Sequence, residues 1–138
     1  MAVTIQLLGQ LIANDDATGS VPFKKQINLT MLGTSFEETR GLVIGITPVN
    51  ITLPITPTQV VYVGNLHPTN TVTVSWTPNG GASAVVQTIG PVTQQNTPQP
   101  ATQGILLVNN NAIGATGITA LTVVASGAFT PIELMLGG

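Results

Sequence analysis

The sequence predicts an all-β protein, an antiparallel β-sandwich of the jelly-roll kind, and three observations lead to this fold class. Val, Ile, Leu and Thr are abundant while only 6% of the 138 residues are charged, which disfavours surface helices. Apolar and polar residues alternate repeatedly, and no stretch has the i, i+3, i+4, i+7 spacing of an amphipathic helix. Turn-forming residues separate about eight to ten strand-like runs at spacings of about 8–12 residues, as in sandwiches and jelly rolls.

Two runs, residues 26–31 and 71–76, alternate cleanly between polar and apolar positions. Because successive side chains of a strand point to opposite faces, this alternation predicts strands with one face in the core. In the second run the predicted core residues are Val72, Val74 and Trp76.

Other runs are more continuously apolar, which predicts central strands covered on both faces: residues 41–46, 59–63, 104–108 and 118–125. Residues 47–58 contain three prolines among β-branched residues. Proline cannot donate a hydrogen bond to a neighbouring strand, so this segment is predicted to be an edge strand or an extended connection.

Two segments allow more than one interpretation. Residues 35–39 have an acidic first turn that suits a short helix, but an edge strand or loop is the favoured prediction. Residues 90–104 are rich in Gln, Thr and Pro and cannot build a core, which predicts an extended loop or arm. This arm either stays a surface loop or lies along a neighbouring subunit, and the sequence does not favour one over the other.

Length and charge distribution predict a single domain over residues 1–138, with the charged side chains mostly in a part spanning residues 1–40. From Gly41 to Ile132 the sequence contains no Asp, Glu, Lys or Arg. Average proteins are about 25% charged, and a free monomer needs charged surface to stay dispersed. A chain with so little charge is predicted to work with its surface covered by copies of itself or by a partner.

The same scarcity argues against enzymatic chemistry, because a catalytic site needs a base placed beside a nucleophile or acid. His67 lies in a turn-like segment with no acid nearby in sequence, and Asp15, Asp16, Glu37 and Glu38 form adjacent pairs typical of solvated turns. The sequence therefore predicts no catalytic residues, no cofactor and no enzyme activity.

Binding chemistry is similarly restricted. There are no cysteines, and the oxygen-bearing residues 14–19 lack the spacing of a calcium loop, so a turn without a metal is expected. Only Lys24, Lys25 and Arg40 are basic, too few to follow a nucleic-acid backbone. No run reaches about 18 uninterrupted apolar residues, so no membrane partner is predicted.

The charged residues Lys24, Lys25, Glu37, Glu38 and Arg40 lie close together in sequence and form the candidate partner-contact site. Three roles are compatible with this cluster. The side chains pair across strands at about 0.2–1 kcal/mol each, dock on an oppositely charged partner, or form a solvated end of the sandwich.

The charge-poor Thr/Val/Gly strands, the segment 74–83 and the C-terminal residues 117–123 and 132–138 resemble small all-β auxiliary proteins of tailed-phage virions. These are the head decoration or cement proteins, and the similarity covers about the last two thirds of the chain. It implies a structural protein that sits on the capsid surface and bridges capsomers, as a trimer or monomer. No individual functional residue is implied.

The resulting hypothesis is a non-enzymatic virion protein, made in the cytoplasm of a bacterial host, that stabilises a phage capsid as a homo-oligomer, with a trimer favoured. Its predicted partner is the major capsid protein or another virion protein. The alternatives are a neck, tail or fibre component and a carbohydrate- or surface-binding β module. The last alternative requires an exposed aromatic platform, for which Trp76 and Tyr62 are the candidates, although Trp76 is in phase with core residues.

Overall fold

The computed structural model describes residues 3–15, 20–33, 35–53, 57–78, 83–92, 103–108 and 117–138. Within these ranges the regular secondary structure consists of ten β-strands without a helix, which confirms the predicted all-β class. Spatial contacts divide the chain into two units, Met1–Thr34 and Ser35–Gly138.

The first unit is a long antiparallel hairpin of β1 (Val3–Asp15) and β2 (Ser20–Gly33). The strands pair from Val3 opposite Gly33 to Asp15 opposite Ser20, with one irregularity close to the turn. Since odd-numbered residues pair with odd-numbered residues up to Ala13, they share one face of the hairpin. The alternation predicted for residues 26–31 is therefore part of a two-stranded ribbon.

The second unit is a β-sandwich of two four-stranded antiparallel sheets. The first sheet contains, in spatial order, β3 (Phe36–Ile44), β10 (Thr130–Gly137), β5 (Val60–Asn65) and β8 (Gln103–Val108). The second sheet contains, again in spatial order, β4 (Val49–Asn50), β9 (Ala120–Ala125), β6 (Val72–Thr77) and β7 (Val85–Ile89). The two sheets pack together, so the predicted β-sandwich is confirmed.

The strand pairs of the sandwich are nested: β3 pairs with β10, β4 with β9, β5 with β8 and β6 with β7. This is the pairing of one long hairpin that has been folded over so that its strands divide between two sheets. The nested order favours a jelly roll, which is one class of β-sandwich. The assignment to this class stays a prediction.

The core lies between the two sheets and is almost entirely aliphatic. Val61 and Val63 enter it from the first sheet, and Val72, Val74 and Val123 enter it from the second, all with fully buried side chains. Trp76 is partly buried and packs against the same cluster. The predicted inward phase of the run 71–76 is therefore confirmed.

The edges of the sheets correct part of the sequence prediction. The runs 59–63 and 118–125 contribute to the internal strands β5 and β9, as expected, but the runs 41–46 and 104–108 contribute to the edge strands β3 and β8. An apolar run shows that a strand has apolar side chains on both faces, but it does not show that both faces are covered.

Two edge predictions are confirmed. In its described residues, the proline-containing segment 47–58 contributes the two-residue edge strand β4 and a single β-bridge at Thr58, and residues 36–39 belong to the edge strand β3. In the predicted arm 90–104, residues 93–102 lie outside the described ranges.

The single domain over residues 1–138 also stays a prediction. The strands of the sandwich all come from residues 36–137, and the predicted charged part, residues 1–40, extends past the division between the two units. In the part of the chain that the structure describes, no helix meets the length and hydropathy needed to cross a membrane.

Candidate binding surfaces

The five predicted contact residues are divided between the two units. Lys24 and Lys25 belong to β2 of the hairpin, whereas Glu37, Glu38 and Arg40 belong to β3 of the sandwich. Arg40 Nε donates a hydrogen bond to Glu38 Oε1 at 2.6 Å, and this contact raises the pKa of Arg40. Both side chains are exposed, so solvent screens the pair. Their role in partner contact stays a prediction.

All charged residues of the sandwich unit lie on two neighbouring strands, β3 and β10. Arg40 is paired with Glu133, and Glu38 is paired with Met135. These residues share the outer face of the first sheet, the face opposite the core. Glu37 is paired with Leu136 and therefore belongs to the other face, where it is nevertheless exposed. The formally charged residues of the sandwich thus lie on both faces of the sheet but only on the edge strand β3 and its neighbour β10.

Next to these charges, a tyrosine lies over two glycines on the same outer face. Tyr62 Oη donates a hydrogen bond to Glu133 Oε1 at 3.1 Å. A Cβ atom placed on Gly104 would lie 2.6 Å from Tyr62 Oη, and one on Gly64 would lie 2.6 Å from Glu133 Oε1. The two glycines therefore provide the space that the tyrosine and glutamate side chains occupy. Burial, followed by the hydrogen bond to Glu133, raises the pKa of Tyr62.

The rest of the outer face is unusually apolar for a surface of an antiparallel sandwich. Met135 and Leu106 are the paired neighbours of Tyr62 on either side, and Phe36, Leu106 and Val108 are exposed. The solvated face of an antiparallel sheet is normally polar, so this apolar surface with charges along one side is a candidate contact surface.

At one end of the sandwich, three connections lie together: residues 45–48, 66–71 and 126–129, called here the tip loops. Ala125 N donates to Gly45 O at 2.9 Å, and Ser126 N donates to Thr71 O at 3.0 Å. Thr71 N in turn donates to Ser126 Oγ at 2.9 Å. These bonds join the loops into one connected surface, on which His67 is the only ionisable side chain.

Asn65, which is fully buried, organises the tip loops. Its Nδ2 donates to Asn70 O at 2.7 Å and to Gly90 O at 2.8 Å, while its Oδ1 accepts a hydrogen bond from His67 N at 3.0 Å. One side chain thus satisfies three backbone groups of two different connections, which fixes the path of the loop 66–71.

His67 has a structural role within this network. Its Nδ1 accepts hydrogen bonds from Thr69 N at 3.1 Å and Asn70 N at 2.9 Å. An imidazole nitrogen that accepts two backbone N–H groups is occupied and does not present itself to a substrate. The arrangement resembles a side-chain cap of a turn.

Phe129 is the most exposed large apolar residue among those described, with 84% of its surface accessible. It also has a φ of 55°, a left-handed conformation that is unfavourable for a bulky residue. Ile46 in the neighbouring tip loop is exposed as well. Backbone strain that presents an aromatic side chain to solvent is an observation from which a binding role can be inferred.

Trp76 lines a groove of about 310 Å³ together with residues from both sheets and the segment before β9: Pro78, Leu106, Leu107, Val108 and Ile118. The groove lies beside the start of β7, since Trp76 is paired with Val85. Its lining contains no ionisable side chain, so it suits an apolar group rather than a charged ligand.

The described residues contain no group of three or more His, Cys, Asp or Glu side chains positioned to hold a metal ion. Of the oxygen-bearing residues 14–19, residues 16–19 lie outside the described ranges. Comparisons with protein-family models, with curated proteins and with solved structures each find no match.

Two of these features were not anticipated from the sequence. Tyr62 and Glu133 are 71 positions apart, and no sequence signal connects them. Phe129 lies in a Ser-Gly-Ala-Phe-Thr turn, where a bulky apolar residue among small and polar ones is a weak signal that could have been noted.

Proposed function

We propose that this protein is a non-enzymatic structural component of a virion, a decoration or cement protein that binds the outside of a tailed-phage capsid as a homo-oligomer. Its partner is then the major capsid protein or a neighbouring virion protein. The supporting observation is the charge-poor, partly apolar surface of the sandwich, which combines the outer face of the first sheet with the tip loops.

The chemistry of this surface fits assembly because its contacts are numerous and individually modest. Exposed Phe36, Leu106 and Val108 offer apolar area on the outer face, while Phe129 and Ile46 offer it at the tip. Symmetry repeats each contact, and linked weak contacts give an affinity greater than any one of them. The charged residues of β3 and β10 then select orientation rather than supply most of the affinity.

The proposed arrangement is a jelly roll, supported by the nested strand pairing, and the proposed number of copies is three. In this arrangement Lys24 and Lys25 of the hairpin, and Glu37, Glu38 and Arg40 of β3, provide the charged contacts to the partner. The segment 90–104 reaches an adjacent subunit. A position in the neck, tail or fibre of the virion is a variant of the proposal in which the same surfaces make the contacts.

Quantitative mass spectrometry of purified particles tests the proposal. Virions of the phage genome that encodes this chain are expected to contain it in a copy number comparable to that of the major capsid protein. Particles from a deletion mutant are expected to release their DNA at a lower temperature. Complete virions that lack the chain would contradict the proposal, and a low copy number confined to tails would favour the tail variant.

One observation favours a carbohydrate-binding module as the second candidate. The ring of Tyr62 lies across Gly64 and Gly104, beside the carboxylate of Glu133, on a solvent-facing sheet surface. Aromatic rings beside a hydrogen-bonding carboxylate suit the apolar face and hydroxyl groups of a sugar. Trp76 does not add to this platform, because it packs against the core.

A glycan array probed with the labelled protein tests this second candidate. Binding of a neutral oligosaccharide that is lost in Tyr62→Ala but kept in Phe36→Ala would support it. No binding above background, or equal loss in both variants, would exclude the Tyr62 surface as the sugar site.

A further inference from the structure

The two sides of the sandwich differ in how their edge strands are protected. On one side, β3 has Glu37, Glu38 and Arg40, and its pairing with β10 is interrupted by a bulge between Ile132 and Glu133. The edge strand of the other sheet on this side, β4, has only two residues. Charges, bulges and very short strands are the devices by which proteins prevent a sheet from adding further strands.

The opposite side has none of these devices in its described residues. Its edge strands β7 and β8 have the sequences VVQTI and QGILLV, without a charged residue or a proline. Their pairing with β6 and β5 is continuous, without a bulge. Val85, Val86, Leu106 and Val108 on these strands are exposed. An apolar, uncharged and regular edge is a site for strand addition.

We propose that the β7–β8 side of the sandwich is the contact between copies of this chain, with β7 pairing with a strand of the second copy. This contact specifies how the copies of the proposed homo-oligomer meet. It rests on the homo-oligomeric part of the proposed function and does not require a capsid.

Charge indicates that the occupant is a second copy. Two copies that met through their β3 edges would have to remove Glu37, Glu38 and Arg40 of each chain from solvent, which costs free energy. Two copies that meet through their β7–β8 sides place no formal charge in the contact. A charged partner would gain nothing there, whereas an equally uncharged and apolar surface, which this chain itself supplies, is complementary to it.

The groove beside β7 strengthens this inference. Trp76, Leu107 and Ile118 form an apolar recess of about 310 Å³ together with Pro78, Leu106 and Val108. An apolar side chain from the second copy would bury itself against Trp76 while its backbone pairs with β7. A side chain inserted next to the paired strands fixes the register of the pairing and contributes to affinity.

Two lysine substitutions at matched positions test the inference. Val86 on β7 and Val43 on β3 are edge-strand valines with similar exposed fractions, 62% and 57%. Native mass spectrometry and light scattering from about 1 to 100 μM are expected to show a wild-type oligomer. Val86→Lys is expected to raise its dissociation constant at least about tenfold, because a lysine on an edge strand disfavours the addition of a further strand. Val43→Lys is expected to leave it unchanged.

A monomeric wild-type chain at every concentration would overturn the inference, and so would equal dissociation of both variants. Virions that contain the chain while the isolated protein is monomeric would overturn the inference and leave the proposed function standing. Circular dichroism identifies a variant that fails to fold.

A second measurement does not depend on any substitution. Amide hydrogen exchange of the wild-type chain is expected to slow in residues 85–89 as concentration rises, and to stay constant in residues 36–44. The reverse pattern, or no change in either strand, would contradict the assigned side.

Discussion

The hydroxyl of Tyr62 donates a hydrogen bond to the carboxylate of Glu133 across two paired strands, at 3.1 Å. Tyr62 is the only tyrosine in the chain, and this bond links the apolar part of the outer face to its charged side. Because burial and the bond to Glu133 both raise the pKa of Tyr62, the contact makes a testable contribution to the pH dependence of stability.

The free energy of unfolding is expected to fall at alkaline pH through Tyr62. The folded protein holds the tyrosine proton more tightly than the unfolded chain does, so the contribution is complete below pH about 10 and is lost as pH rises through the raised pKa. Urea unfolding between about pH 8 and pH 11 measures this decline. Tyr62→Phe is the control and is expected to decline less steeply. Equal slopes for the two proteins would show that Tyr62 does not contribute.

Asn65→Ala is expected to destabilise the sandwich strongly. The substitution leaves Asn70 O, Gly90 O and His67 N without their buried partner, and each unsatisfied group costs about 1–3 kcal/mol. Chemical unfolding measures the loss, which is expected to be at least about 3 kcal/mol. Asn50→Ala removes one exposed bond to Thr122 and is expected to cost less than about 1 kcal/mol. Similar losses in both variants would refute the central role of Asn65.

Two glycines with similar positive φ angles differ in the space around them. Gly41 has a φ of 73° and Gly117 a φ of 70°, so alanine is strained at either position. A Cβ on Gly117 would lie 2.5 Å from Thr58 O, whereas a Cβ on Gly41 would meet nothing within 4 Å. Gly41→Ala is expected to cost about 1 kcal/mol from strain alone. Gly117→Ala is expected to cost about 1–3 kcal/mol more than Gly41→Ala, because the backbone at Thr58 must move.

Differential scanning calorimetry of these two glycine variants separates conformational strain from steric overlap. A transition temperature for Gly117→Ala equal to that for Gly41→Ala would mean that the segment before β9 adjusts without cost. It would then also mean that the bridge between Thr58 and Ile118 does not fix the position of this segment.

Phe129→Asn is expected to maintain or increase stability while weakening attachment to the partner. The side chain is exposed, so little packing is lost, and asparagine tolerates a positive φ, which relieves strain of about 1 kcal/mol. Thermal unfolding of the isolated chain and retention of the chain on virions during dilution measure the two effects. Ile46→Ser is the matched tip-loop control without the strained backbone. Loss of stability in Phe129→Asn would show that Phe129 is held for packing.

Much of the fold could be predicted from the sequence because strand alternation and proline placement are local properties. Val72, Val74 and Trp76 repeat with a period of two, and this period fixes which face of β6 enters the core wherever the strand pairs. Three prolines within residues 47–58 disfavour a central strand, because each removes a donor from the strand ladder.

Strand order was not predictable, and it decided the status of the runs 41–46 and 104–108. Both are as apolar as the internal strand β5, yet β3 and β8 are edges, because coverage depends on which strands pair across long sequence separations. The candidate surfaces depend on the same order. Tyr62 meets Glu133 only because β5 and β10 are neighbours. Asn65 reaches Gly90 O only because β5 ends at the tip loops, next to the end of β7.

By itself, the sequence determined the all-β class and the stretch from Gly41 to Ile132 without Asp, Glu, Lys or Arg. Composition and period are properties of single segments, so they need no knowledge of partners. Only the tertiary structure decided that the remaining charges of the sandwich lie on β3 and β10, leaving β7 and β8 as uncharged edges. That asymmetry arises from nested strand pairing, which is set by contacts between segments distant in the chain.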